Sequence, residues 1–211
     1  MVKMPHLSNF FKEGLGYLKA RKTIFLFGVA SIIPAIVTNF YNIVLPPYVI
    51  DAINADSVVF GISDMFYGIG GLASGFLMSM IAKKLSNKWA ILLFFIFSSL
   101  NLFILFLNTS AFVLFIGSLV FGFLHSGVRI VMNSQLMTQV NPQYMGRATS
   151  VWSGISLLIN AAGASFLGVM MDVTHARIGF LVMSSLMAVG FLFILGLFSQ
   201  FKKHIDRDVK Q

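Results

Sequence analysis

The chain predicts an all-α membrane protein of six spans, and three observations predict it. Residues 23–46, 57–82, 89–107, 111–136, 148–171 and 178–201 are apolar and long enough, or nearly so, to cross a bilayer. A hydrocarbon core about 30 Å thick takes about 20 residues of helix. Composition agrees: 57% of the residues are hydrophobic and 10% charged, where soluble domains carry about 25% charged residues. The third observation is charge placement. Lys3, Lys12, Lys19, Arg21 and Lys22 precede the first span, Lys83, Lys84 and Lys88 fill the second link, and Arg147 adjoins the fifth span. Lys202, Lys203, Arg207 and Lys210 follow the sixth, while the other side carries Asp51, Asp56, Asp172 and Arg177. Lys and Arg are retained in the cytoplasm during insertion, which predicts a multi-pass cell-membrane protein with both termini cytoplasmic. The net charge of +8 is thereby a matter of topology, and no nucleic-acid partner is implied.

Residues 1–22 read as an amphipathic segment on the inner membrane surface, with Phe10, Phe11, Leu15 and Leu18 on one side. Its apolar successor is too long for a secretory h-region and lacks a small-residue cleavage site. The first span contains Pro34, which removes a helical hydrogen bond and bends the helix, and Pro46-Pro47 are read as its end. Residues 23–201 form the bundle, of which residues 89–107 are the shortest span, and 202–211 a basic cytoplasmic tail.

Polar residues fall in stripes at helical spacing. Ser31, Ala35, Thr38, Asn39 and Asn42 mark the first span; Asp64, Gly68, Gly71, Gly75 and Ser79 mark the second. Ser118, Gly122, His125, Ser126, Arg129 and Asn133 mark the fourth, and Ser153, Ser156, Asn160 and Ala164 the fifth. The third offers only Ser98, Ser99 and Asn101, the sixth only Ser184 and Ser185. Four striped helices and two nearly bare ones predict a polar inner surface with the third and sixth spans at its periphery. The glycines and serines are first of all small residues that let helices approach closely. For Asn39, Asn42 and Asn160, packing and cavity lining stand as equal accounts, and Thr38 and Ser153 share those stripes.

Ionisable groups inside a bilayer are costly and mark function by default. Asp64 lies about 10 Å along its helix from the outer end. It is either a buried carboxylate able to exchange protons or an ionised group at a wet outer mouth. His125, one turn from Arg129, is either a proton-responsive group or a hydrogen-bonded polar side chain. Arg129, about 27 Å along its helix, reads as a structural charge snorkelling to the inner interface. Asp64 and Arg129 sit near opposite faces, so no direct salt bridge between them is predicted. No catalytic constellation is present: phosphate loop, metalloprotease helix, nucleophile elbow and dinucleotide fingerprint are all missing. Without cysteine, thiolate chemistry is excluded, and no metal or cofactor is implied.

The order of features resembles the carboxy-terminal six-helix half of drug-efflux members of the major facilitator superfamily, the macrolide-efflux branch among them. Phe10-Phe11-Lys12-Glu13-Gly14-Leu15-Gly16-Tyr17-Leu18 is similar to the linker helix before the seventh span, and Leu45-Pro46-Pro47-Tyr48-Val49 to that span's end. Asn141-Pro142-Gln143-Tyr144-Met145-Gly146-Arg147-Ala148 resembles the turn between the tenth and eleventh spans. The resemblance implies one half of a fold built from a 3+3 inverted repeat, with substrate held between two halves near the midplane. It implies a proton-coupled antiporter exporting a hydrophobic or amphipathic small molecule, with Asp64 and His125 as coupling candidates. Thr38, Asn39, Asn42, Ser153 and Asn160 would line the cavity. It further implies a second six-helix half as partner, either another copy or a separate amino-terminal half. The family's loop signature would fall on residues 79–88, where Lys83 replaces its aspartate, so no loop motif carries over. A competing reading is a membrane scaffold or the non-transporting remnant of a disrupted full-length transporter.

Single cysteines at Asn54 and Asn87 test the topology. They are expected to react with impermeant thiol reagents from outside and inside respectively; labelling of both from one face refutes it.

Overall fold

The computed structural model describes the backbone of residues 7–208, and the side chains of 13–199 apart from 79, 82 and 83. The expectations placed on Lys3, on the side chains of Phe10, Phe11, Lys12, Ser79 and Lys83, and on the charges after residue 201 lie outside these residues. Seven helices follow one another: α1 (Leu7–Ala20), α2 (Lys22–Pro47), α3 (Ser57–Lys84), α4 (Asn87–Leu107), α5 (Ala111–Gln139), α6 (Pro142–Val173) and α7 (Ile178–Asp208). No strand occurs among the described residues. The helices from α2 to α7 each contain a stretch long and apolar enough to span a membrane.

Local chemistry sets the boundaries. Asp56 caps α3 by accepting from the Val58 and Val59 amides at 3.1 and 3.3 Å. Asn141 caps α6 by accepting from the Gln143 amide at 3.1 Å, with Pro142 in the first turn where its missing N–H costs nothing. The fifth span thus begins its helix at Pro142, ahead of the apolar run at 148. Pro46-Pro47 do not stop the first span: the chain stays helical through a π-turn, Tyr48–Ala52. There the Ile53 amide reaches the Tyr48 carbonyl at 3.1 Å, a wider turn that absorbs the lost proline donors. Tyr48 anchors the turn, its hydroxyl donating to the Leu105 carbonyl at 3.0 Å and meeting that of Asn108. Asn54, with φ at 57°, then breaks the helix in the left-handed region that Asn tolerates.

The packing reveals a repeat. α3 packs on α5 as α6 packs on α2; α4 packs on α5 as α7 packs on α2; α4 meets α7, and α2 meets α5. Exchanging α2, α3 and α4 for α5, α6 and α7 leaves this pattern of neighbours unchanged, as a 3+3 repeat requires. An aromatic cluster fills the middle, where Tyr41 lies 4.9 Å from Phe121 and 5.3 Å from Tyr67, and Tyr48 lies 4.7 Å from Phe180.

Within this one half, the bare helices α4 and α7 are packed more deeply than the striped helices α3 and α6. Over the span-length core of each helix, 56% of residues are buried in α4 and 39% in α7, against 17% in α3 and 6% in α6. Of the sparse polar groups of α4 and α7, Ser99, Asn101 and Ser184 form interhelical bonds. Ser98 is buried with no hydrogen-bond partner among the described residues, and Ser185 is exposed and donates to the Leu181 carbonyl of its own helix. Ser99 donates to the Ser184 carbonyl at 2.9 Å, Ser184 returns the bond to the Ser99 carbonyl at 2.8 Å, and Asn101 donates to the Gly117 carbonyl at 3.0 Å.

The α3–α5 seam uses Gly71, Gly122 and Ser126 of the small-residue stripes, a Cβ on Gly71 lying 3.1 Å from Ser126 Oγ, but on α3 it also takes residues beside the stripe. Ser63 and Ser74 are fully buried, and Gly70 is their companion. A Cβ on Gly70 would lie 2.0 Å from the Leu119 carbonyl oxygen, and one on Gly122 would lie 2.1 Å from that of Tyr67. Gly68 and Gly75 face open space. Gly122→Leu or Gly70→Val must therefore push the two backbones away from each other, with an expected loss of about 1–3 kcal/mol. Gly68→Ala and Gly75→Ala should stay within about 0.5 kcal/mol of wild type. Unfolding in detergent checks the contrast; equal losses at all four positions contradict the seam.

Candidate functional site

The candidate site is a polar string running from α3 across α2 to α5. Helix α2 presents Thr38 and Tyr41 one turn apart, α3 presents Asp64 and Tyr67 one turn apart, and α5 presents Ser118, His125 and Arg129. Tyr41 and Ser118 share a hydrogen bond of 2.8 Å between α2 and α5. Thr38 donates to the Pro34 carbonyl at 3.1 Å, one turn back on its own helix. The same hydroxyl oxygen meets His125 Nε2 and lies beside the Tyr67 hydroxyl. A threonine has one hydroxyl proton. With that proton on the Pro34 carbonyl, His125 Nε2–H is the donor to Thr38, and Nδ1 is the bare nitrogen. His125 is fully buried, and its Nδ1 has no hydrogen-bond partner among the described residues.

The two charges flank this string. Asp64 and Arg129 are both exposed. Asp64 lies within electrostatic reach of Tyr41 and Tyr67, and Arg129 within reach of Tyr67 and His125. No ion pair joins Asp64 to Arg129 among the described residues; Tyr67 stands between their fields. Tyr41 and Tyr67 are thus members of the site that the polar stripes did not include. Each lies three residues after a stripe member, Thr38 and Asp64, so the same spacing rule places them on the same faces.

A second polar link runs to α6. Asn39 Nδ2 donates to Asn160 Oδ1 at 3.0 Å, and Asn160 Nδ2 donates to the Ser156 carbonyl at 2.8 Å. Toward the side that holds the chain termini, a cavity of about 300 Å³ opens between α2, α5 and α6. Ser31, Asn133 and Ser153 supply its polar wall, and Leu136, Met137 and Trp152 its apolar one. Ser153 thus lines a cavity, Asn39 and Asn160 bind one another, and Asn42 is exposed on the open face of α2. On the opposite side Asp51, Asp172, His175 and Arg177 surround a separate opening of about 570 Å³. No group of three or more His, Cys, Asp or Glu suited to a metal occurs among the described residues.

Among curated proteins, none matches this chain in sequence. A solved structure described as "In meso crystal structure of the POT family transporter PepTSo" is similar in fold, with a TM-score of 0.69 and 14% sequence identity. The similarity covers 82% of this chain and 37% of that one, so the chain spans well under half the length of this structural relative. The paired three-helix units, the outward-facing helices α3 and α6, and a polar string buried between α2 and α5 and flanked by exposed Asp64 and Arg129 form one six-helix unit. The family model described as Major Facilitator Superfamily matches residues 25–210, nearly the whole chain. The chain belongs to the Major Facilitator Superfamily.

Proposed function

We propose that this chain is one six-helix half of a secondary transporter, completed by a second half that is another copy or a separate amino-terminal chain. One observation carries the reading: Asn39, Asn42, Asp64, Arg129, Asn133 and Ser153 are all exposed on α2, α3, α5 and α6 of an otherwise apolar bundle. Left against hydrocarbon, each would cost free energy; against a second half, they would line a shared aqueous cavity at the midplane. The cargo is a hydrophobic or amphipathic small molecule. The apolar wall of Leu136, Met137 and Trp152 with a few polar groups suits such a ligand, and so does the resemblance to drug-efflux members. Export runs against proton uptake at the cell membrane, with both termini in the cytoplasm. Asp64 is the first coupling group, exposed to the cavity water that a second half would enclose. His125, held by Thr38 through Nε2 and with Nδ1 bare, is the second.

Two measurements test this. A cysteine at Asn42, whose side chain is open where Thr38 is occupied by His125, should crosslink to a partner in native membranes. Efflux should need that partner, and robust efflux by a strictly monomeric chain overturns the reading. In vesicles active with the partner, Asp64→Asn should bring pH-driven transport down to that of protein-free vesicles, because an amide cannot carry the proton. His125→Gln should have a smaller effect. An unchanged pH dependence in Asp64→Asn assigns coupling to another group.

A further inference from the structure

Helix α6 is the least embedded of the six spans, and its grip on the rest is uneven. Its buried residues are Ala148, Val151, Trp152 and Leu167, three of them close to the Pro142 end. That end is where α1 crosses it. Gly14 brings the two backbones together: a Cβ there would lie 2.8 Å from the Arg147 carbonyl oxygen. Glu13 and Arg147 form an ion pair of 2.7 Å. The Tyr17 and Tyr144 rings stack with centroids 4.6 Å apart and planes 9° from parallel. The Tyr17 hydroxyl accepts from the Asn141 amide at 3.1 Å, at the cap of α6, and from Arg21 at 3.2 Å. Leu18, on the same helix, is fully buried.

We infer that α1 is a clasp on α6: it fixes the Pro142 end of that span against the bundle, and α6 moves only when α1 lets go or moves with it. The chain geometry suits the role. Only Arg21, with φ −125° and ψ 67°, interrupts the helix between α1 and α2, so the clasp is tied directly to the span carrying Thr38 and Pro34. The ion pair is half-exposed and contributes register more than strength. The close backbone approach, the ring stack and the capped amide supply the grip. The inference depends on neither the cargo nor proton coupling, so it stands or falls independently of the proposed transport.

Hydrogen exchange on the full chain in bilayer discs tests it. Tyr17→Ala should speed exchange of the amides in residues 142–152 by about tenfold, a local opening that leaves α3, α4 and α5 as protected as before. Tyr17→Phe keeps the stack and loses the acceptor, and its smaller increase should be confined to the first turn of α6. In the Tyr17→Cys/Tyr144→Cys double variant, bridging with a short bifunctional thiol reagent should restore protection that is lost without the bridge. Unchanged exchange in residues 142–152, acceleration spread evenly over all spans, or a bridge without effect would each overturn the clasp.

Discussion

The approach of α3 to α5, backbone against backbone at Gly70 and Gly122, holds the remainder of the bundle in place. Helices in hydrocarbon satisfy their own backbone groups, and lipid tails are as apolar as leucine, so no hydrophobic gain draws two spans together. Contact must come from close packing and from the few polar groups that can bond across. At this seam glycine permits the closest approach, and Ser63 and Ser74 are buried alongside. With α3 fixed to α5, Tyr67 comes into stacking distance of Tyr41. The Thr38 hydroxyl, on the next turn of α2, then falls between Tyr67 and His125. That glycine contact sets the α3 end of the polar string, while α2 and α5 make its other links directly through Tyr41–Ser118 and Thr38–His125.

The repeat turns one such contact into a pattern. The pairing of α3 with α5 has its counterpart in α6 with α2, where Gly163 lies against the Phe40 ring and Gly28 against the Trp152 indole. α3 holds α5 closely, α6 holds α2 and, at its Pro142 end, α1, and both helices show their other faces outward. Around these helices Asp64 and Ser153 are exposed, and at other heights and angles so are large apolar side chains such as Phe76 and Phe166. The exposed carboxylate and hydroxyl do not suit plain lipid. They suit another protein surface with a wet cleft, which ties the family assignment to the proposed partner half.

Within this one half, polarity and depth of packing are separate properties. The third and sixth spans have few polar residues, and this alone suggested the periphery of the polar inner surface. Within the half, Ser99, Asn101 and Ser184 are buried bonds between helices. Ser98, by contrast, is buried with no hydrogen-bond partner among the described residues, and Ser185 is exposed and bonds its own helix. The polar stripes divide: Ser118 and His125 on α5 are buried between helices, while Asn42, Asp64, Asn133 and Ser153 remain exposed. The stripe on α3 divides likewise, Gly71 meeting α5 while Gly68 and Gly75 face open space. Gly70 belongs to the packing face beside it.

The number of spans, the all-α class, most helix boundaries and the residues from which a site could be built were legible in the chain before any packing was known. The reason is that bilayer thickness and helical periodicity act locally, whereas the start of α6 at Pro142, capped by Asn141, came ahead of the apolar run at 148. The family resemblance, too, lay in the order of short motifs. Which faces meet became visible only in the folded bundle. A stripe at helical spacing fixes an angle around one helix, but not which neighbour lies at that angle or how close it comes. Thr38 to His125, Asn39 to Asn160 and Tyr41 to Ser118 join residues far apart in the chain, and each depends on two helices being set to within an ångström. That setting comes from summed packing along whole helices, with Gly70 against Leu119 and Gly122 against Tyr67, and no local pattern encodes it.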